Sequence, residues 1–387
     1  MQLEDVMTAE QAAQELGVAV RTVYSYVSRK GIRTVTPDGD GKRRLYQAED
    51  IRKLKSSARL TGVTAPRATL VDKSVITEVT ESGPFYRGRS AIELAETETL
   101  ESIGELLLEA PGIFAQPAPR FPDEVRPVLE ATKGLSAADQ AISSFPLLEQ
   151  VNPRAYDLSP AGFARTTVDV ARYYAALLIG EEQPSDEPIH SFIARHCSPD
   201  PTMTDLVRRT LVLLADHDLD PTTYAVRALA NTGATPFLAS IAGMAAFRGR
   251  RLQFGRSELV NRLVEEVVGS SDPAAPVVRA FRHGDPMLGF GSIVYGDHDP
   301  RADALLAQVD RQMGDDPEVR RLNTAIKVGK DLTGSGPSVT LVLAFIRHRL
   351  GLPVSDVSFM AAGRIVGWCA HALEQYSTRE LFRPRSL

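Results

Sequence analysis

Two cysteines in 387 residues, Cys197 and Cys369, are too few for a disulfide framework. With neither CxxC spacing nor a neighbouring histidine cluster, they support no metal site and no redox pair. No run of about 18 apolar residues occurs, so no membrane-spanning helix is expected. The N-terminus lacks the basic-then-apolar pattern of a secretory leader, and the expected location is the cytoplasm. Internal repeats are missing too. The glycines of GFG (Gly289 to Gly291) and GSG (Gly334 to Gly336) have no strand and G-x-G-x-x-G frame around them, which excludes a dinucleotide fingerprint. What remains is 43% apolar and 24% charged, ordinary for a globular chain with a large core, and the length exceeds one typical domain.

What is present divides near residue 75. From Ser56 to Ser74 the chain reads SSARLTGVTAPRATLVDKS, small residues with weak periodicity, and forms the expected linker, set at 58–75. Beyond it ARTTVDVARYYAALLIG, TMTDLVRRTLVLLADHD and PSVTLVLAFIRHRLG repeat apolar residues at spacings of three and four, the mark of amphipathic helices. Pro111, Pro146, Pro160 and Pro221 are expected to separate such units.

Ahead of the linker, MTAEQAAQELGVAVRTVYSYVSRKGI reads as two short helices joined by a tight turn at Gly17. Thr8 and Gln11 have capping-box spacing. Ala12, Ala13 and Leu16 supply one apolar face, and Val20, Val23, Tyr24 and Val27 the other. Asp38-Gly39 and Asp40-Gly41 then mark a hairpin turn between two extended segments. From Arg21 to Arg44 there are seven Lys or Arg against two Asp, a local charge of +5 in a chain of net charge −5. A concentrated basic face attracts duplex DNA whatever the overall sign. Arg21, Thr22, Ser25, Tyr26, Arg29 and Lys30 lie away from the apolar stripe and are candidates for the major groove. Arg43, Arg44 and Tyr46 would grip phosphate. Residues 1–57 thus resemble the winged helix-turn-helix domains of the MerR and excisionase type, with KRRLY as the return strand and AEDIRKL as the following helix.

The segment GFGSIVYGDHDPRA, Gly289 to Ala302, resembles the GFGHRVYK..DPRA segment of citrate synthases, and the likeness runs from YRGRSAIELAE to AAGRIVGWCAHALEQ and FRPRS. The resemblance implies a mainly α, two-domain helical fold over 76–387, with a smaller domain inserted at about 256–351 and a cleft that closes on substrate. It also implies positions for the family's acid–base groups, and there this chain departs. Ser292 and Gln253 stand where the family has histidines, and Thr340, in PSVT thirteen residues before Pro353, where it has the aspartate base. None of the three titrates as a carboxylate or imidazole does near neutral pH. Each positioned acid or base is worth about 10²–10⁴ in rate, so these losses are chemical.

The resemblance keeps the other half of the site. His217 in LLADHDLDPTTYAVRALANTGATP stands where the family touches its oxoacid, and Arg301, Arg364 and Arg383 match the arginines that clamp carboxylates, Arg383 coming from the partner subunit. Leu214 replaces a histidine of that first motif. A homodimer follows by implication. The expected function is a metabolite-sensing DNA-binding regulator that holds oxaloacetate, citrate, a related acid or an acyl-CoA without consuming it. The alternative is a citrate synthase-type acyltransferase condensing acetyl-CoA or another acyl-CoA with an oxoacid, with a recruited base such as His283. No covalently held cofactor and no metal is expected in either case.

Overall fold

The first helix is opened by a reciprocal cap. The Thr8 backbone N–H donates to Gln11 Oε1 at 2.9 Å, and Gln11 N–H to Thr8 Oγ1 at 3.3 Å, so two free amides at the start of α1 (Ala9–Leu16) find partners. The computed structural model that contains this helix describes residues 6–16, 20, 23, 32–35, 45–52, 74–198, 200–217, 220–249, 254–283, 289–352 and 358–377. The chain divides into two units, 1–68 and 69–387.

In the first unit, β1 (Val6–Met7), β2 (Thr34–Val35) and β3 (Leu45–Gln47) form an antiparallel sheet with β3 in the middle. Val6 faces Gln47, Met7 and Thr34 flank Tyr46, and Val35 faces Leu45. The expected extended pair is therefore β2 and β3, with β1 as a third strand that the sequence did not announce; the Asp-Gly turn, Tyr24 and Val27 lie outside the described residues. Residues 48–52 are helical. Ala12, Ala13, Val23, Ile32, Tyr46 and Ile51 make the core, with Leu16 and Val20 packed on it. Tyr46 is 1% exposed, which corrects its assignment to phosphate: a strand flanked on both sides turns one face inward, and Tyr46 is on that face. Arg33, one of the seven basic residues, forks onto Asp50 through Nε at 3.0 Å and Nη2 at 2.9 Å.

The second unit begins with a meander, β4 (Thr77–Thr80), β5 (Gly83–Tyr86) and β6 (Arg89–Ser90). Tyr86 buries its ring and donates to Val212 O at 2.9 Å. Helices follow: α2 (Ala91–Thr97), α3 (Leu100–Leu108), α4 (Arg126–Ala131), α5 (Ala137–Val151), α6 (Pro160–Ile179), α7 (Ile189–Cys197), α8 (Pro201–Leu213), α9 (Pro221–Ala230) and α10 (Pro236–Phe247). Then come α11 (Phe254–Gly269), α12 (Ala274–Arg282), α13 (Pro300–Met313), α14 (Pro317–Thr333), α15 (Val339–Arg349) and α16 (Ser358–Tyr376). Pro160 and Pro221 sit at the first helical position behind the caps Ser159 and Asp220, where a missing N–H costs nothing. Pro146 instead lies inside α5, a correction to its expected role as a separator. Buried Phe145 and Leu148 carry the helix through the break, and Ser143 and Ser144 bond back to the Asp139 and Gln140 carbonyls at 2.8 and 2.7 Å.

The core gathers around α16, which packs against α3, α6, α8, α9 and α10. Three glycines let it approach so closely. A Cβ at Gly243 of α10 would lie 2.4 Å from the fully buried Trp368 ring, and one at Gly367 would lie 2.2 Å from Ala215 O. A Cβ at Gly363 would meet Leu211 O at 3.0 Å. α11, α12 and α14 pack on one another, and α15 on α11 and α13.

Candidate functional site

Three helix starts frame a cleft of about 360 Å³, those of α9, α13 and α15. Its lining includes His217, Ser292, Arg301, Thr340 and Arg364. Five residues named from four motifs thus meet at one place. Gln253 and Arg383 lie outside the described residues, as do Arg21, Thr22, Ser25, Tyr26, Arg29, Lys30, Arg43 and Arg44. His283 ends α12, is exposed, and is not part of the lining.

The loop that carries Ser292 is fixed by backbone bonds. Gly291 N–H donates to Gly336 O at 2.9 Å, and Ser338 N–H to Gly289 O at 2.9 Å, which stitch the GFG and GSG turns together. Gly289 and Gly291 hold φ of 75° and 71°, values that a side chain resists. The Phe290 ring packs on Gly329 of α14, where a Cβ would fall 1.9 Å from it. Ser292 Oγ accepts from the N–H groups of Val294 at 3.2 Å and Tyr295 at 3.1 Å, so this hydroxyl serves the turn. Thr340 stands at the first turn of α15, whose preceding Ser338 makes no side-chain cap.

Both arginines are placed by carboxylates that the sequence reading did not name. Asp299 caps α13 and takes Arg301 in a fork, Nε at 3.0 Å and Nη2 at 2.9 Å. It also accepts from Val339 N–H at 3.2 Å, so one buried carboxylate ties α13 to α15. Asp220 caps α9, accepting from Thr223 N–H at 2.8 Å, and pairs with Arg364 Nη2. Arg364 Nη1 lies 3.9 Å from Asp216 Oδ1. Both arginines are buried, 8% and 4% exposed, so each needs its counter-charge.

His217 Nε2 lies 2.9 Å from the Tyr295 hydroxyl. Burial, reinforced by the positive charges of Arg301 and Arg364, holds its imidazole well below the usual histidine range, and it is neutral at pH 7. Burial pushes the Tyr295 phenol up to about 12. The Arg301 guanidinium sits 5.2 Å from the centre of the Tyr295 ring, a cation–π arrangement. Tyr295 and Asp299 lie in the motif that gave Arg301, but their roles arise only when the loop folds back on α13.

A second network leads away from the cleft. Asp216 accepts from His371 Nε2 at 2.9 Å, and His371 Nδ1 lies 3.0 Å from Arg227 Nη1. Glu374 pairs with Arg227 at 2.5 Å and accepts from Ser74 Oγ at 2.9 Å and Val75 N–H at 2.8 Å. Burial opposes ionisation of Asp216, yet His371 and Arg364 hold its carboxyl below the ordinary range. No group of three or more potential metal ligands occurs among the described residues. None of the described helices is long and apolar enough to cross a membrane.

Comparison with known proteins agrees with this architecture. The profile "Citrate synthase, C-terminal domain" matches residues 65–385, and "Helix-turn-helix domain" matches 6–59. The chain is 30% identical over 193 residues to "Citrate synthase 2" of Bacillus subtilis, 49% of this chain and 51% of that protein. It is 30% identical over 194 residues to "Citrate synthase" of Haloferax volcanii, again 49% and 51%. The aligned part spans about half the length of these relatives. Among solved structures, citrate synthase of Thermotoga maritima superposes with a TM-score of 0.66 at 22% identity, covering 84% of this chain and 94% of that one. The ternary complex of carboxymethyl coenzyme A and oxaloacetate with the Thermoplasma acidophilum citrate synthase gives 0.65 at 18%, covering 83% and 94%, a likeness of fold. The chain therefore belongs to the citrate synthase family and carries a helix-turn-helix domain ahead of its synthase-like body.

Proposed function

We propose that this chain is a metabolite-responsive DNA-binding regulator, in which the synthase-like cleft holds an organic acid without turning it over. The observation that carries this reading is the state of the groups around Ser292 and Thr340. Ser292 is spent on its own turn, Asp299 and Asp220 are each bound to an arginine, and His217 is neutral beside Tyr295. Abstracting a proton beside a carbonyl needs an ionisable base within hydrogen-bond reach, and among the described lining residues none is free for it. The basic helix-turn-helix unit supplies the output: a homodimer presents two such heads, which suits a pseudo-palindromic operator.

From the cleft to the end of the linker run two neighbouring helices. α9 and α16 are joined at the cleft by Asp220 and Arg364, and at their other ends by Arg227 and Glu374. Glu374 also holds Ser74 and Val75, the last two residues of the expected linker. A ligand that disturbs Arg364 thus acts on the helix that anchors the root of the linker.

The rival reading is condensation by modified acid–base chemistry, with acetyl-CoA or another acyl-CoA as substrate. Relatives named citrate synthase, and the convergence of His217, Arg301 and Arg364, favour it. Two measurements decide. Fluorescence anisotropy of labelled DNA from around the protein's own gene should change when organic acids are added; unchanged affinity across an acid panel sinks the regulator. Free CoA release from acetyl-CoA and propionyl-CoA with oxaloacetate should be absent; turnover above about 0.1 per second, roughly two decades below a median enzyme, establishes the rival.

A further inference from the structure

The two guanidiniums of the cleft are matched one for one by carboxylates of the chain itself. Asp299 takes Nε and Nη2 of Arg301, leaving Nη1 with no partner among the described residues. Asp220 takes Arg364. His217 adds no charge. The described lining is therefore close to neutral, with the positive ends of three helices turned toward it, two of them capped by Asp220 and Asp299 and the third, α15, meeting Asp299 through Val339 N–H. Such a cleft has room for one negative charge. A second carboxylate, brought to Arg364, would either displace Asp220 from its cap or lie against its charge.

The rest of the lining is apolar. Leu214, Phe247, Val260, Val339 and Met360 surround the polar cluster, and at the mouth Ile293 and Val294 are 86% and 55% exposed. Two bare aliphatic side chains at the lip of a cleft suit a ligand with a hydrocarbon body.

We infer that the cleft takes a monocarboxylic acid with an apolar body, and that Asp220 is the residue that turns away di- and tricarboxylates. This rests on the cleft being a ligand site, as proposed above, and narrows its ligand class. The carboxylate meets Arg301 Nη1 and the start of α15 at Thr340, next to the Val339 N–H that Asp299 already holds, and the hydrocarbon part runs past Ser292 to Ile293 and Val294.

The test uses the full-length protein and the variant Asp220→Asn, since asparagine caps a helix as well as aspartate while its amide nitrogen neither carries a charge nor accepts from Arg364. Calorimetric titration with hexanoate and 4-methylpentanoate is compared with glutarate, oxaloacetate and citrate. The native protein should bind the monocarboxylates at least tenfold more tightly, and Asp220→Asn should raise affinity for glutarate by about tenfold or more. Ile293→Ser should weaken hexanoate and leave acetate unchanged. Equal or tighter binding of glutarate or citrate by the native protein overturns the inference, as does an unchanged preference in Asp220→Asn or failure of every monocarboxylate to bind. Binding of hexanoate with no effect on DNA affinity would leave this assignment standing and remove the regulator instead.

Discussion

Arg227 Nη1 lies 3.0 Å from Nδ1 of His371, and because a guanidinium can only donate, the imidazole accepts there and gives its own Nε2 proton to Asp216, 2.9 Å away. Three buried groups on three segments are thereby held in one hydrogen-bond order, with the cleft at one end and Glu374 and Ser74 at the other.

Removing Arg227 should be expensive. The side chain is 1% exposed and its partner Glu374 is 16% exposed, so Arg227→Ala leaves a mostly buried carboxylate without its counter-charge. Breaking a buried pair from one side costs about 3–5 kcal/mol, which urea unfolding would show as a large drop in midpoint. A loss under about 1 kcal/mol would mean that the network does not hold α9 to α16.

The small unit gives a second expectation, which follows from the burial of Tyr46. Tyr46→Ala should destabilise the helix-turn-helix unit by about 3–5 kcal/mol, as large-to-small core changes do. Tyr46→Phe should leave affinity for DNA within about twofold, since the ring does not reach the surface. A tenfold loss of DNA affinity in a stably folded Tyr46→Phe protein would return the residue to the phosphate contacts.

Stability should fall as pH drops below about 6.5. Burial depresses the imidazole of His190, and burial with Arg301 and Arg364 depresses that of His217 more strongly. In the window beneath the ordinary histidine value the unfolded chain takes up protons that the folded chain refuses, and linkage then favours unfolding. Asp169 works in the opposite direction, because burial pushes its carboxyl up to about 6 and it holds a proton in the folded state that it loses on unfolding. Urea midpoints of the native protein and His217→Gln between pH 7 and pH 5 separate these effects. The variant should show a shallower acid loss, and parallel curves would contradict a neutral His217.

How much of this was legible follows from where each interaction lies along the chain. Ser292, Arg301 and Arg364 could be found because each sits in a contiguous motif with its own turn or helix, and folding brought those motifs together as the resemblance implied. Asp220 was passed over because its meaning depends on Arg364, 144 residues away. Tyr295 and His371 were missed for the same reason, their partners lying 78 and 155 residues off. Pro146 misled because proline predicts a break only when packing does not override it, and here Phe145 and Leu148 are buried on either side. In LYQ, alternation sends either Leu45 or Tyr46 inward, and the residues alone do not say which.

Gly367 offers the last test, because it asks what positions Arg364. An added Cβ would lie 2.2 Å from Ala215 O, 2.6 Å from Asp216 Oδ1 and 2.8 Å from Asp216 Cβ, and none of these can step aside as a flexible side-chain tip could. Gly367→Ala must therefore push α16 away from the 215–216 loop, carrying Arg364, three residues earlier on the same helix, away from Asp220. Overpacking of this kind costs about 1–3 kcal/mol, and loosening the Arg364–Asp220 pair should narrow the preference for hexanoate over glutarate by about tenfold. A variant with native stability and native preference would show that the close approach of α16 is not what sets the arginine in the cleft.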